Sequence, residues 1–101
     1  MKKTIPSFLN TLSDDDFDIL EDIFINKYTK FTYIYWLIKD YASKISELTY
    51  RESDNTTLKI DMVIQKLAPE KVMNDISERA SDTKNLLLYN NGDVIHIEVT
   101  D

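Results

Sequence analysis

The chain of 101 residues contains no cysteine, one glycine and two prolines. The lack of cysteine excludes disulfides, zinc–thiolate sites and thiol catalysis, and it suits a reducing compartment. Glycine and proline are the residues that most often interrupt helices and strands, so their scarcity predicts long regular elements joined by short loops. Hydrophobic residues make up 43% of the chain, and we therefore expect one folded globular domain over residues 1–101.

Long apolar runs are also lacking. No stretch approaches the roughly 20 apolar residues that a membrane-spanning helix needs. The beginning of the chain, MKKTIPSFLNTLSDDD, has two lysines like a signal peptide, but Pro6, Asn10 and Thr11 interrupt its apolar part. We expect a cytoplasmic protein without a membrane partner.

Positive charge is in the minority, with 12 Lys and Arg against 18 Asp and Glu and a net charge of −6. Proteins that bind nucleic acid through its phosphates normally present a basic surface, so direct nucleic-acid binding is not favoured. The acids cluster at the start of the chain, where six of the nine residues in Asp14–Asp22 are acidic.

An N-terminal arm over 1–13 is expected to lead into two long amphipathic helices over 14–50. In the first, about 14–26, one apolar stripe is formed by Phe17, Leu20, Ile23, Phe24 and Tyr28. The second, about 29–49, follows from three- and four-residue spacing of apolar residues between Phe31 and Leu48. Six of the eleven aromatic residues lie in Tyr28–Tyr41, and two of them, Tyr33 and Trp36, fall outside the apolar stripe.

Residues 55–80 are expected to form a helix or strand followed by a helix. Between Leu58 and Ile64 apolar and polar residues alternate as in a strand, but Ile60, Val63, Ile64 and Leu67 equally form a helical stripe. We favour the helix, because Lys66 and Leu67 continue the pattern without a turn residue. Pro69 then suits the first position of another helix that ends near Ala80.

The last segment, 85–99, predicts a β-hairpin, because Asn-Gly between two β-rich runs is the preferred two-residue turn. In that register Leu88 lies opposite Ile95, Leu86 opposite Ile97, and Leu87 opposite His96. The fold class expected from these elements is α+β, mainly α: three to four helices and a C-terminal two-stranded hairpin, with a winged-helix-like outline.

The candidate partner-binding residues are acids on the back of the first helix and the off-stripe aromatics with a neighbouring acid. They are Asp14, Asp15, Asp18, Glu21, Asp22, Tyr33, Trp36 and Asp40. An acidic surface selects basic partners and speeds their encounter, and Tyr and Trp are frequent binding hot spots. The same acids also suit an ordinary solvated helix back, and both aromatics suit a core position if another element packs over them.

Other chemistry is weakly indicated. Asp14, Asp16 and Asp18 match the opening of a calcium loop, but no glycine follows, and we expect neither a metal nor a cofactor. His96, the one histidine, has Glu98 on the same strand face, yet no serine–histidine–acid set or phosphate-binding loop is present, so we expect no enzyme. In the winged-helix alternative, a transcriptional regulator would contact DNA through Lys71, Asn74 and Arg79.

These observations predict a small, acidic, non-enzymatic protein-binding module, an inhibitor of a basic, nucleic-acid-handling partner. Anti-defence proteins, antirepressors, antitoxins and immunity proteins are of this physical type, and the composition is typical of phage and mobile-element proteins. The winged-helix regulator and a homodimeric or larger assembly are the alternatives.

Overall fold

A computed structural model describes the backbone of residues 2–6, 14–80 and 84–100, and the side chains of 17–80 and 84–100. Within these residues, five strands form one antiparallel sheet in the order β1-β2-β3-β5-β4. The strands are β1 (Lys2–Pro6), β2 (Ile45–Ser53), β3 (Thr57–Ile64), β4 (Leu86–Asn91) and β5 (Val94–Thr100). The three α-helices are α1 (Asp14–Asn26), α2 (Thr32–Asp40) and α3 (Pro69–Arg79), and short 3-10 turns lie at Thr29–Phe31 and Ala42–Lys44.

The core lies between the helices and one face of the sheet. The division of the sheet into a buried and an open face is clearest on β3, where Leu58, Ile60, Met62 and Ile64 are buried and the residues between them are not. A strand directs successive side chains to opposite faces, so these four form one apolar row. They share a single core cluster with Leu20 and Phe24 of α1, Ile34, Leu37 and Ile38 of α2, Val72 and Ile76 of α3, and Ile95, Ile97 and Val99 of β5.

Two of the expected helices have the expected bounds. α1 runs from Asp14 to Asn26, and its stripe residues Leu20 and Phe24 are fully buried. α3 begins at Pro69, where the missing N–H of proline leaves no helical hydrogen bond unmade, and ends at Arg79.

The expected fold class, mainly α with a two-stranded hairpin, is wrong. The long helix expected over 29–49 ends at Asp40, and its last five residues belong to the strand β2, which begins at Ile45. Ile45 and Leu48 are both buried, and a β-bulge between Ile45 and Glu47 shifts the alternation so that inward residues stand three apart. That spacing imitates a helical stripe.

The helix favoured for the segment after Leu58 is also wrong, because Thr57–Ile64 is the central strand β3. The chain turns at Lys66, which adopts a left-handed φ of 62° without being glycine. Left-handed backbone is uncommon for such a residue, so the sequence carries no turn signal there. With β3 in place of a helix, the pair of helices that a winged helix requires is not formed by these residues, and the expected winged-helix-like outline is lost.

The hairpin over 85–99 is present, but its register differs from the expected one and it belongs to the larger sheet. The turn is Gly92-Asp93 with Asn91 opposite Val94, so that Leu88 lies opposite Ile97 and Leu87 opposite Glu98. Gly92 supplies the positive φ at the first turn position, 62°. The shift amounts to two residues along the strand, and because side chains alternate with a period of two, the faces are as expected.

The expected N-terminal arm is a strand at Lys2–Pro6, and 7–13 lie outside the described residues.

Candidate functional site

The acidic face of α1, which we define as Asp18, Glu21, Asp22 and Ile25, turns away from the core. At 100° per residue, Glu21, Asp22 and Ile25 lie within about 60° of Asp18 around the helix axis. Ile25 is 56% exposed although it is apolar, and it sits among the three carboxylates. Asp14 and Asp15 belong to the same helix, but their side chains lie outside the described part.

Nothing in the described side chains neutralises this face. No Lys or Arg among residues 17–80 and 84–100 forms an ion pair with Asp18, Glu21 or Asp22. Asp22 accepts one hydrogen bond, at 2.6 Å, from the amide of Asn26 one turn later. Among the described side chains, the three carboxylates therefore have no cationic partner.

A hollow of about 480 Å³ lies beside the acidic face, between the end of α1 and the sheet. Ile23, Tyr50 and Leu58 provide apolar wall, and Asp22 stands at the α1 side. Across it, Glu52 accepts hydrogen bonds from Lys27 and from the hydroxyl of Tyr28, both at 2.6 Å. The Lys27 ammonium first, and then the Tyr28 hydroxyl, lower the pKa of Glu52.

Asp40, the other acid of the predicted set, is engaged within the protein. Arg79 of α3 donates from Nη2 to Asp40 at 2.7 Å and from Nε to Asp75 at 2.8 Å, and the Tyr41 hydroxyl donates to Asp75 at 2.8 Å. The hydrogen bond from Arg79 is the main cause that lowers the pKa of Asp75. Asp40 and Arg79, proposed from sequence for two different partners, bind each other and tie α2 to α3.

Tyr33 and Trp36 separate in the structure. Trp36 is 53% exposed, with its ring edge against Tyr35 at 5.1 Å between centroids and the Lys39 ammonium 5.5 Å from its centre. Tyr33 is half-buried, packs against the core cluster and has its ring 6.3 Å from that of Phe31. The exposed-surface interpretation therefore applies to Trp36, and the core interpretation to Tyr33.

Lys71, Asn74 and Arg79, the residues of the DNA-binding alternative, all lie on α3, but their surroundings differ. Lys71 and Asn74 are exposed on α3, whereas Arg79 is held by Asp75 and Asp40. No helix precedes α3 in the position that a helix-turn-helix requires, because β3 occupies it.

His96 forms a cluster on the face of the sheet opposite the helices. Its Nδ1 lies 2.6 Å from an oxygen of Asp61 on β3, and its Nε2 lies 2.7 Å from an oxygen of Glu98 on its own strand. Tyr89 of β4 stacks on the imidazole at 4.7 Å between ring centres. Sequence reasoning found Glu98 but missed Asp61 and Tyr89, which come next to His96 only through the strand register.

The charge of this cluster follows from its donors and acceptors. An ionised carboxylate only accepts hydrogen bonds, and a protonated histidine donates from both ring nitrogens, so the protonated form satisfies a carboxylate on each side. Burial opposes that charge, because the side chain is 13% exposed, but the hydrogen bonds to Asp61 and Glu98 prevail and raise the pKa of His96. The imidazolium hydrogen-bonds Asp61 on β3 and Glu98 on β5 and stacks on Tyr89 of β4, so it links three strands.

Among the described side chains, no group of three or more His, Cys, Asp and Glu residues is arranged to hold a metal ion. None of the described helices is long and apolar enough to span a membrane. No protein-family model matches the chain, and neither the curated proteins nor the solved structures contain one that is significantly similar to it.

Proposed function

We propose that this protein is a non-enzymatic binding module that uses the acidic face of α1 to occupy a basic, nucleic-acid-handling surface of another protein. It would act there as an inhibitor or antagonist, in the manner of anti-defence proteins, antirepressors, antitoxins or immunity proteins. The observation that carries the proposal is a helix face with three carboxylates that no described cation neutralises, beside an apolar-walled hollow.

The chemistry of this surface fits a basic partner in two ways. Asp18 and Asp22 stand one turn apart, about 6 Å along a rigid helix, so they present a row of negative charge as a nucleic-acid backbone does. The hollow has apolar walls, with the carboxylate of Asp22 on the α1 side and, across from it, Glu52, which Lys27 already pairs. A lysine or arginine buries its aliphatic stem against apolar surface and keeps its charged end near carboxylates or water, so its shape and charge suit the Asp22 side of this hollow.

Ile25 adds apolar contact area to the acidic face, and Trp36 on α2 is a second exposed apolar side chain available to a partner. Both are more than half exposed, and Trp is a residue that contributes strongly to binding when a partner covers it. Charge would then attract the partner, and the apolar residues would hold it.

The test begins with capture of a partner by the tagged protein and its purification. The triple variant D18N/E21Q/D22N should bind the purified partner at least about tenfold more weakly, as expected for the loss of a few complementary charges. D54N/E78Q/D93N removes three exposed acids elsewhere and changes net charge equally, so it is the matched control. We expect less than about a twofold change for the control.

Equal weakening by both triples would mean that only net charge matters, and unchanged binding by the first would remove the acidic face from the proposal. DNA or RNA should compete with the protein for the partner, and simultaneous binding would contradict a nucleic-acid-handling surface. Trp36→Ala should leave the protein folded and weaken binding, because the ring is exposed.

A further inference from the structure

The two edges of the sheet are built differently. An edge strand presents unpaired backbone N–H and C=O groups, and proteins protect such edges with lysine, proline or a bulge. The edge strand β1 carries Lys2, Lys3 and Pro6. The other edge strand, β4, has none of these, and its pairing with β5 continues over all six residues without a bulge.

β4 is also the one strand among the five described that contains no charged residue. Its sequence is LLLYNN, in a chain of which 30% is charged. On the face away from the helices, Leu87 is 49% and Tyr89 is 47% exposed. A neutral, partly apolar and unprotected edge is a template for another strand.

We propose that the partner of this edge is a second copy of the chain, paired antiparallel through β4 about a two-fold axis. Two molecules that each carry a net charge of −6 repel one another, and they can approach most closely where neither carries charge. A heterologous partner of so acidic a protein would instead be selected by opposite charge, which β4 does not offer.

The pairing is self-complementary when it is centred on Leu88. Leu87 then lies opposite the partner's Tyr89, and Tyr89 lies opposite the partner's Leu87, because antiparallel pairing about a two-fold axis repeats each contact. Aromatic and aliphatic side chains in such cross-strand pairs stabilise a sheet. The result is one continuous sheet of twice the width, in which Leu87 and Tyr89 contact each other across the two-fold axis.

Sedimentation equilibrium on the full chain, from low micromolar to near-millimolar concentration, tests the proposal. A six-residue strand pair is a small interface, so we expect a weak, concentration-dependent dimer. Leu87→Lys places a charge on the edge and should weaken dimerisation at least about tenfold. Ile19→Lys is the matched control, because it also converts a half-exposed apolar residue to lysine, on α1 rather than β4, and it should change the dimer constant less than about twofold.

A wild-type protein that is monomeric at every concentration would overturn the proposal, and so would a Leu87→Lys variant that dimerises like wild type. A second measurement does not depend on that variant. The chain has no cysteine, so Asn91→Cys accepts a single spin label, and the register centred on Leu88 places the two Cα atoms about 20 Å apart. Absence of a dipolar signal near that distance in concentrated samples would exclude the antiparallel β4 pair.

Discussion

The two faces of the sheet are formed by the same strands and differ in almost every physical respect. On β3, Ile60 lies under the helices with no exposed surface, while Lys59 and Asp61 beside it lie on the open face. The covered face is held together by apolar burial from all three helices. The open face is held by cross-strand polar contacts, of which the His96 cluster is the most developed. A half-covered sheet thus has two kinds of stabilisation, which should respond differently to substitution and to pH.

The largest difference should come from adjacent residues on β3. Ile60→Ala removes buried apolar volume and leaves a cavity, and should lower the free energy of unfolding by about 3 kcal/mol. Lys59→Ala, on the open face, should change it by less than about 0.5 kcal/mol. Urea unfolding followed by circular dichroism measures both. Similar losses for the two variants would mean that the open face is as tightly packed as the covered one.

The open face should depend on pH through His96. Its pKa is raised in the folded protein above the ordinary value of about 6.5. The protonated histidine therefore contributes stability that is fully present below that value and is lost as pH rises through the folded-state pKa. His96→Gln should lower the free energy of unfolding by about 1 to 3 kcal/mol at pH 5.5 and by less at pH 8.

Since His96 is the one histidine, the wild-type protein should lose stability between pH 5.5 and 8, and the variant should lose most of that dependence. A variant that keeps the wild-type slope would show that the carboxylates do not hold an imidazolium.

The smallest change in the free energy of unfolding should come from the polar cluster of Arg79, Asp75 and Asp40 between α2 and α3. Arg79→Lys keeps the charge but loses the planar fork between Asp75 and Asp40, and should cost about 1 kcal/mol. The loss should be the same at pH 5.5 and at pH 8, since the pKa of Asp75 is lowered and that of Arg79 is raised, both away from this range. Stability due to Asp75 is lost only as pH falls through its lowered pKa.

Arg51→Lys is the control, because Arg51 is exposed on the open face and makes no ion pair with the described side chains. It should change the free energy of unfolding by less than about 0.5 kcal/mol. If the loss of unfolding free energy in Arg79→Lys depended on pH, a group that titrates in this range would belong to the cluster of Arg79, Asp75 and Asp40. The contrast with the pH-dependent His96 cluster would then be weaker.

The sequence was sufficient where local signals and the final structure agree. α1 and α3 have clear periodicity, and a glycine turn between apolar runs indicates the hairpin, although not its register. It was insufficient at β2 and β3. There, a bulge places Ile45 and Leu48 at a spacing typical of a helix. The turn after β3 uses Lys66 at its left-handed position, where a glycine would have indicated a turn in the sequence. Such local signals are overridden when burial in a sheet stabilises the alternative conformation.

The candidate sites were predictable only in part, for a related reason. The acids and Ile25 on α1 share a helix face and can be read from spacing. The contact between His96 and Asp61 spans 35 residues, and that between Arg79 and Asp40 spans 39, so each depends on strand order or helix packing. A single sequence gives no signal that two oppositely charged residues so far apart along the chain will form a pair. Tyr33 and Trp36 lie three residues apart on the same helix, so the packing of α2 decides that Tyr33 contacts the core cluster while Trp36 stays exposed.

The exposed position of Trp36, the single tryptophan of the chain, gives the protein a native optical reporter. In the folded protein its indole is half exposed, so unfolding should shift its fluorescence emission less than it would for a buried tryptophan. Cover by another molecule would move the ring into an apolar environment and shift the emission toward the blue. Intrinsic fluorescence should therefore be a poor probe of denaturation for this protein and a sensitive one for occupancy of the α2 surface.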